Sequence, residues 1–579
     1  MRAPALITLV AAVLWGSMAG LVAAGGKQAA PGLPQAAATP AQVDPGQAMS
    51  RIGQTMVGIG NRAFMATWSV AYGRFKPASF EDKLTSRKVP VPAEAFVLTL
   101  EGNRVVRASD MKVVGAPRVE ALQGDASRSR LAERLPGKQP VITLEAPDGE
   151  FGITWKAVVR DGATYVRQEL LVSARKAPLP LQRIGILDVA MPGASVAGTV
   201  QGSPVVSGGA FVGLEHPMSQ CEVEGGVARC SLAREVPVPA GQNLPVSIVT
   251  GVTAPGQLRR GFLAYLERER AHPYRPFLHY NSWYDLGYFS KFDEKASLDV
   301  VEAFGRELAT GRGVQIDSFL FDDGWDDPKT LWRFHEGFPE GLARIRLAAA
   351  KFGAAPGVWL SPWGGYGEPK KERLAAGAEQ GFETNERGFA LSGPIYYTRF
   401  HDTCLAFVRT YGVNQFKFDG IGRATGTQRG SAFGSDFEAA IQLIEDLRAE
   451  RPDVFINLTT GTWPSPFWLR YADSIWRGGE DHDFAGVGSD RQQWITYRDE
   501  QTYANIVQGG PLYPLNSLML HGIIYARKAH DLNNDPSGAF THEVRSYFGT
   551  GTQLQEMYIS HDLLSQENWD ELAQCAKWS

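Results

Sequence analysis

Apolar and polar positions follow two different rhythms along this 579-residue chain. From about residue 50 to 265, apolar residues recur at every second position in short runs broken by Gly, Pro and Asp. Examples are YVRQELLVSA (165–174), AFVLTLEGNRVVRAS (95–109) and VPVPAGQNLPVSIVTGVT (236–253). A period of two turns one face of a strand toward a core, so this half predicts an all-β sandwich. After RRGFLAYLERERAHPYRP (259–276) the rhythm changes, and short apolar runs alternate with amphipathic helical stretches such as SLDVVEAFGRELATG, GLARIRLAAAKFG, CLAFVRTYG and DFEAAIQLIEDLRAE. Eight runs read as strands: FLHYNSWYD, IDSFLFDDGW, GVWLSPWGG, NQFKFDG, VFINLTTG, SIWRGGED, NSLMLHGII and QLQEMYIS. Strand–helix units repeated eight times predict a (β/α)8 TIM barrel. A doubly wound open sheet would call for a glycine-rich phosphate loop after its first strand, and the sequence has none there. SQENWDELAQCAKWS, at the end of the chain given, reads as the eighth helix.

The expected organisation is a signal peptide at 1–24, a linker at 25–47, a β-sandwich domain at 48–268 and a barrel at 269–579. The signal reading rests on Arg2, the apolar run after it and the small residues around Val22, Ala23 and Ala24. It implies export, periplasmic or extracellular. No other run is long enough to span a bilayer, so no membrane partner is expected of the mature form. Net charge is −4 with pI near 6.3 and the basic residues are scattered, which argues against a nucleic-acid partner. Cys221 and Cys230 bracket CEVEGGVARC, a hairpin pattern that a disulfide can cross in an exported protein. Cys404 and Cys575 are expected to be buried thiols.

Polar and aromatic residues gather where the predicted strands end, the place where barrels of this kind build their sites. In NQFKFDGIG (414–422), Lys417 and Asp419 share one face while Phe416 and Phe418 take the other. A buried charge needs a partner, and a cation beside Asp419 would keep it ionised and suited to act as a nucleophile. WRGGEDHD (476–483) crowds Glu480, Asp481 and Asp483 into one strand end, where a carboxyl near ionised Asp419 would be held protonated as a general acid. In FLFDDGWDD (319–327), Asp322 and Asp323 offer acceptors for sugar hydroxyls and Trp325 an apolar face for the ring. Asp326 and Asp327 read as caps for the next helix. Trp283, Tyr284 and Asp285 end the first strand, and Trp363 and Tyr366 follow the third; all five read either as pocket walls or as core packing. His521 on the seventh strand reads either as a sugar contact or as a satisfied barrel histidine. Glu215 and His216 stand on the sandwich loop GGAFVGLEHPM, for which a place over the barrel mouth is the minority reading. No dedicated ligand set points to a metal, and no cofactor is expected.

Three motifs, DDGW (322–325), KFDG (417–420) and WRGGED (476–481), stand in the order and on the strands of a known family. The barrel half resembles glycoside hydrolase clan D, the α-galactosidases and α-N-acetylgalactosaminidases, and most resembles family 36, which carries a large N-terminal β-sandwich. The resemblance implies a retaining, exo-acting hydrolase of terminal α-linked galactose-type sugars on an oligosaccharide or glycoconjugate. In that reading Asp419 is the nucleophile and Asp481, four residues after Arg477, is the acid/base. Lys417, Asp322 and Asp323 grip the sugar, and Arg477 faces its carbon 2. The segment NLTTGTWPSP departs from the glycine-rich stretch usual in family 36 and resembles family 27. There the small residues Thr462 and Ser465 would leave room for a 2-amino or 2-acetamido group, which leans the reading toward N-acetylgalactosamine or galactosamine. The C-terminal β domain usual in family 36 has no counterpart here, as expected of a truncated or divergent chain. The rival functions are a raffinose-synthase-type transglycosylase and an exported carbohydrate-binding protein without catalysis. The oligomeric state is left open.

Overall fold

The computed structural model describes residues 44–423 and 425–579. The signal peptide and all but the last four linker residues lie outside the described residues. Residues 44–255 form three antiparallel sheets, of five, eight and five strands. The alternation seen in the sequence is what builds them: Phe64–Ser69 buries every second residue, and Phe151–Arg160 does the same over most of its length. In the last sheet Cys221 faces Cys230 across a hairpin and the two are bridged. Gly225 and Gly226 make its turn at φ 57° and 77°, the double left-handed geometry of a tight two-residue hairpin. Cys404 is buried and Cys575 half-buried.

Helix α1, Leu258–Glu269, leads into a parallel sheet. Its strands are β1 Phe277–Asn281, β2 Ser318–Phe321, β3 Ala355–Leu360, β4 Gln415–Phe418, β5 Phe455–Leu458, β6 Ser474–Trp476, β7 Leu518–Met519, β8 Ile523–Tyr525 and β9 Leu554–Ile559. They pair in the order β7-β6-β5-β4-β3-β2-β1-β9-β8. The two ends of this order are successive segments of one run of chain, so the sheet curls until its edges meet at Leu520–Gly522. The eight strands read from the sequence are all present, and the seventh is split into β7 and β8. Most are buried along their whole length, which is why they read as continuous apolar runs where the sandwich strands alternate. Helices cover the outer face, among them α2 Glu294–Phe304, α3 Ala343–Ala350, α4 Gly367–Glu379, α5 Pro394–Tyr411 and α6 Asp436–Glu450.

The β-rich half and the curled sheet are tied by a buried ionic cluster. Glu215 accepts from Arg167 Nε at 2.8 and 3.0 Å, from the Tyr265 hydroxyl at 2.6 Å and from Arg470 at 3.1 Å. Burial works against its charge, but Arg167 and Arg470 hold the Glu215 carboxyl down to about 2. The minority reading, that Glu215 and His216 overhang the barrel mouth, is therefore wrong. Glu215 joins the two halves, because Arg167, Tyr265 and Arg470 converge on its one carboxylate, while the His216 ring meets Tyr471 edge-on.

Candidate active site

Side chains from the C-terminal ends of the parallel strands line a cavity of about 380 Å³. It brings together Trp283 after β1, Asp322 and Asp323 after β2, Tyr366 after β3, Lys417 and Asp419 on and after β4, and Asp481 after β6. All seven were candidates from the sequence. Phe289, Trp359, Thr460, Trp476, Gly479 and Glu480 complete the lining.

Asp419 sits half-buried just past β4 under three donors. Trp359 Nε1 donates to its Oδ2 at 3.0 Å and the Tyr366 hydroxyl to Oδ1 at 2.9 Å, while the Thr459 hydroxyl also reaches Oδ1. These bonds fix both carboxylate oxygens in place. Lys417 does not bond Asp419 as expected. Its ammonium donates to Asp322 Oδ2 at 2.8 Å, and the backbone N–H of Asp323 donates to Asp322 Oδ1 at 2.9 Å. Despite the penalty of burial, Asp322 first and then Asp419 and Asp481 hold the Lys417 ammonium above its usual range. The ammonium thus acts on Asp419 at longer range than a hydrogen bond.

Asp323 depends on a residue the sequence reading did not single out. Arg373 of α4, fully buried, donates to Asp323 at 2.6 Å and to Asp326 at 2.6 and 3.0 Å. Burial raises the Asp323 carboxyl to about 6, with Arg373 opposing. Asp326 is consequently an ion-pair partner rather than a helix cap. Gly324 turns this segment at φ 127°, and a Cβ there would lie 2.5 Å from the Ser290 carbonyl oxygen.

Asp481 stands at the cavity rim with its side chain 54 % exposed. Desolvation by the surrounding protein raises its carboxyl to about 6; Lys417 opposes this, while Asp419 and Asp322 add to it. Water reaching the open rim weakens the desolvation, so the neighbouring carboxylates carry the upward direction most securely. His521 Nδ1 lies 3.9 Å from Asp481 Oδ1. The imidazole is buried, stacked on Tyr558 at 4.5 Å, and makes no hydrogen bond through either nitrogen. It is neither a lining residue nor a satisfied barrel histidine.

Further candidates lie outside this lining. Trp325 is fully buried, donates from Nε1 to the Trp359 carbonyl at 3.1 Å and packs on Phe334 and Phe407. The turn at Gly324 has sent it outward to the helix layer. Trp363 covers Gly420, where a Cβ would fall 2.1 Å from the indole, so it buttresses the backbone next to Asp419 and stands behind Tyr366. Arg477 is fully buried under Trp476, with its donors spent on the carbonyls of Leu520, Gly478, Glu480 and Asp481. It positions the loop that bears Asp481 and does not line the cavity. The Thr462 hydroxyl donates back to the Thr459 carbonyl at 2.7 Å, and Ser465 is buried against Gly202 of the β-rich half. The Trp463 indole is likewise anchored to Gln201. This segment docks on the sandwich, so neither small residue shapes the cavity. Asp285, also read as a pocket wall or as core, is buried under the hydroxyls of Tyr280 and Ser560.

Trp359 was legible in principle. It pairs in register with Lys417 across β3 and β4, and neighbours in register share a face of the sheet. Trp476 ends β6, while Thr460 and Phe289 come from turns whose direction no periodicity encodes.

No family model matches the sequence, and no curated protein matches it by sequence. Solved structures do match over most of its length. The galactosidase domain of an α-galactosidase–sucrose kinase superposes with a TM-score of 0.60 at 12% identity, covering 92% of this chain and 86% of that one. A GH36 α-galactosidase from Geobacillus stearothermophilus gives 0.59 at 13% identity with the same coverage. A second GH36 α-galactosidase from that organism, in complex with raffinose, gives 0.56 at 12%, again over 92% and 86%. The fold is that of the GH36 α-galactosidases.

Proposed function

We propose that the protein is a retaining, exo-acting α-glycoside hydrolase that releases terminal α-linked galactose-type sugars from oligosaccharides or glycoconjugates. We read the curled sheet as a (β/α)8 barrel whose seventh strand is split, with the site at its C-terminal face. The observation that carries the reading is the shared cavity of Asp419 and Asp481, one carboxylate held by three donors and the other carboxyl raised. Asp419 attacks the anomeric carbon while Asp481 gives its proton to the departing oxygen. Asp481 then takes a proton from water, which opens the glycosyl–Asp419 ester with net retention. Asp322 and Asp323 accept from the sugar hydroxyls. Among the described residues, no lysine or arginine pairs within 4.0 Å with the side-chain carboxyl of Asp419, Glu480 or Asp481, and the lining holds five carboxyls against the single ammonium of Lys417, which pairs with Asp322. This acidic lining suits the positive charge of an oxocarbenium-like transition state and disfavours an anionic sugar. It also supports an amine at carbon 2, the basis on which the lean toward galactosamine-type sugars now rests in place of Thr462 and Ser465. The raffinose complex of the Geobacillus stearothermophilus enzyme supports an oligosaccharide substrate. The N-terminal pattern supports export.

A panel of aryl α-galactoside, α-N-acetylgalactosaminide and α-galactosaminide, read for sugar and product anomer, tests the reading. Asp419→Gly should abolish turnover, with added azide yielding the β-glycosyl azide. Normal activity in that variant overturns the nucleophile. Release of sugar chiefly to an added acceptor sugar, rather than to water, would establish the transglycosylase instead.

A further inference from the structure

The turn after β1 sets two exposed aromatic residues side by side in a backbone conformation that bulky side chains rarely adopt. Tyr288 has φ 53° and Phe289 φ 61°, left-handed values disfavoured by the Cβ and its substituents. Strain of this kind persists only where the surroundings enforce it, and it gathers at functional sites. Here the enforcement is visible. Lys528 Nζ donates to the carbonyls of Leu286 and Gly287 at 2.8 and 2.6 Å. The backbone N–H groups of the same two residues donate to the Ser282 carbonyl at 2.9 and 3.0 Å. A Cβ on Gly287 would come within 2.8 Å of the Asp323 carbonyl oxygen.

This strain does not serve the core, because Tyr288 is 40 % and Phe289 52 % exposed. Their rings pack on Trp283, with centroids 5.2 and 4.9 Å away. Trp283 and Phe289 line the cavity that holds Asp419 and Asp481. On its other side Phe289 meets Gly367, where a Cβ would lie 3.6 Å from the ring. The ring therefore spans the turns after β1 and β3 at the cavity mouth.

We propose that Tyr288 and Phe289 form a platform for the group on the leaving side of the scissile bond, and that its occupant is a second pyranose ring lying on Phe289. The assignment rests on the glycosidase reading above. A pyranose presents an apolar C–H face to an aromatic ring while its hydroxyl edge meets polar groups. The mouth offers that combination, with Phe289 beside Glu480 and Asp481 in one lining. An alkyl chain would leave those carboxyls unpartnered, and a phosphate would be repelled by them. Lys528 is a positioning residue that acts through the turn.

The test compares kcat/KM for a methyl α-glycoside, an aryl α-glycoside and an α-linked disaccharide of the same terminal sugar. Phe289→Ala and Tyr288→Ala should each lower the ratio of the disaccharide value to the methyl glycoside value by about tenfold. Lys528→Met should reproduce the same selective loss, which a merely structural role would not. Equal losses on all substrates, or no loss, overturn the proposal. A loss confined to the aryl glycoside overturns the sugar as occupant, and a change of mass on light scattering without loss of selectivity assigns the rings to a subunit contact. If the unmodified chain cleaves none of the three, the glycosidase reading fails by itself. Calorimetry then decides the platform. The disaccharide must bind the unmodified chain about tenfold more tightly than the monosaccharide, and Phe289→Ala must remove the difference.

Discussion

Replacing Arg373 by methionine leaves two buried carboxylates facing each other without their cation. Asp323 and Asp326 are 4 % and 1 % exposed, and Arg373 gives them three hydrogen bonds between 2.6 and 3.0 Å while lying over Trp332 and Trp359. Methionine keeps much of the apolar packing, so the loss is chiefly electrostatic. Removing one partner of a buried pair costs about 3–5 kcal/mol, and this figure applies at pH 8. The pH dependence is the sharper measure. Asp323 has its carboxyl raised to about 6 in the folded chain by burial, against Arg373 and with Asp326 adding to the rise. A carboxyl raised on folding loses stability as pH climbs from its unfolded value to its folded one, and none beyond that. In the native chain this window closes near pH 6. Without Arg373 it extends upward, and each further pH unit adds about 1.4 kcal/mol to the loss. Urea unfolding followed by tryptophan fluorescence should therefore show a larger deficit at pH 8 than at pH 5. Adding Asp326→Asn to Arg373→Met should restore much of it. A deficit that is the same at both pH values, or below about 1 kcal/mol at pH 8, refutes the assignment of this trio as a buried charge cluster.

Three further outcomes are expected. Trp359→Phe removes the Nε1 donor from Asp419 Oδ2, a bond to a charged group worth about 1.5–3 kcal/mol, and should slow turnover by about ten- to 150-fold with the far-ultraviolet spectrum unchanged; a loss under about twofold would refute it. Asp481 must hold a proton to act as the acid and its carboxyl is raised to about 6, so kcat/KM should fall as pH rises through that value; Asp481→Asn should erase this limb on a substrate whose leaving group needs no proton, and a limb that survives belongs to another residue. Thr462→Val and Ser465→Ala should leave the ratio of galactoside to N-acetylgalactosaminide activity within about twofold, because neither residue lines the cavity; a shift beyond about tenfold would return the specificity to that segment.

The sequence by itself determined the periods and the chemistry at the strand ends. Alternation marked the sandwich strands, continuous apolar runs marked the parallel strands, and Asp322, Lys417, Asp419 and Asp481 stood where those runs stop, because backbone periodicity and the cost of a buried charge are local matters. Which way a side chain turns beyond a strand was decided only by the assembled structure. Gly324 sends Trp325 outward, the sandwich captures Ser465 and Trp463, and carbonyls of its own loop occupy Arg477. Lys417 finds Asp322 on another strand, and Arg373 reaches Asp323 from a helix 50 residues away. A charged side chain takes the partner that folding brings within hydrogen-bond range, and separation along the chain says little about which partner that is.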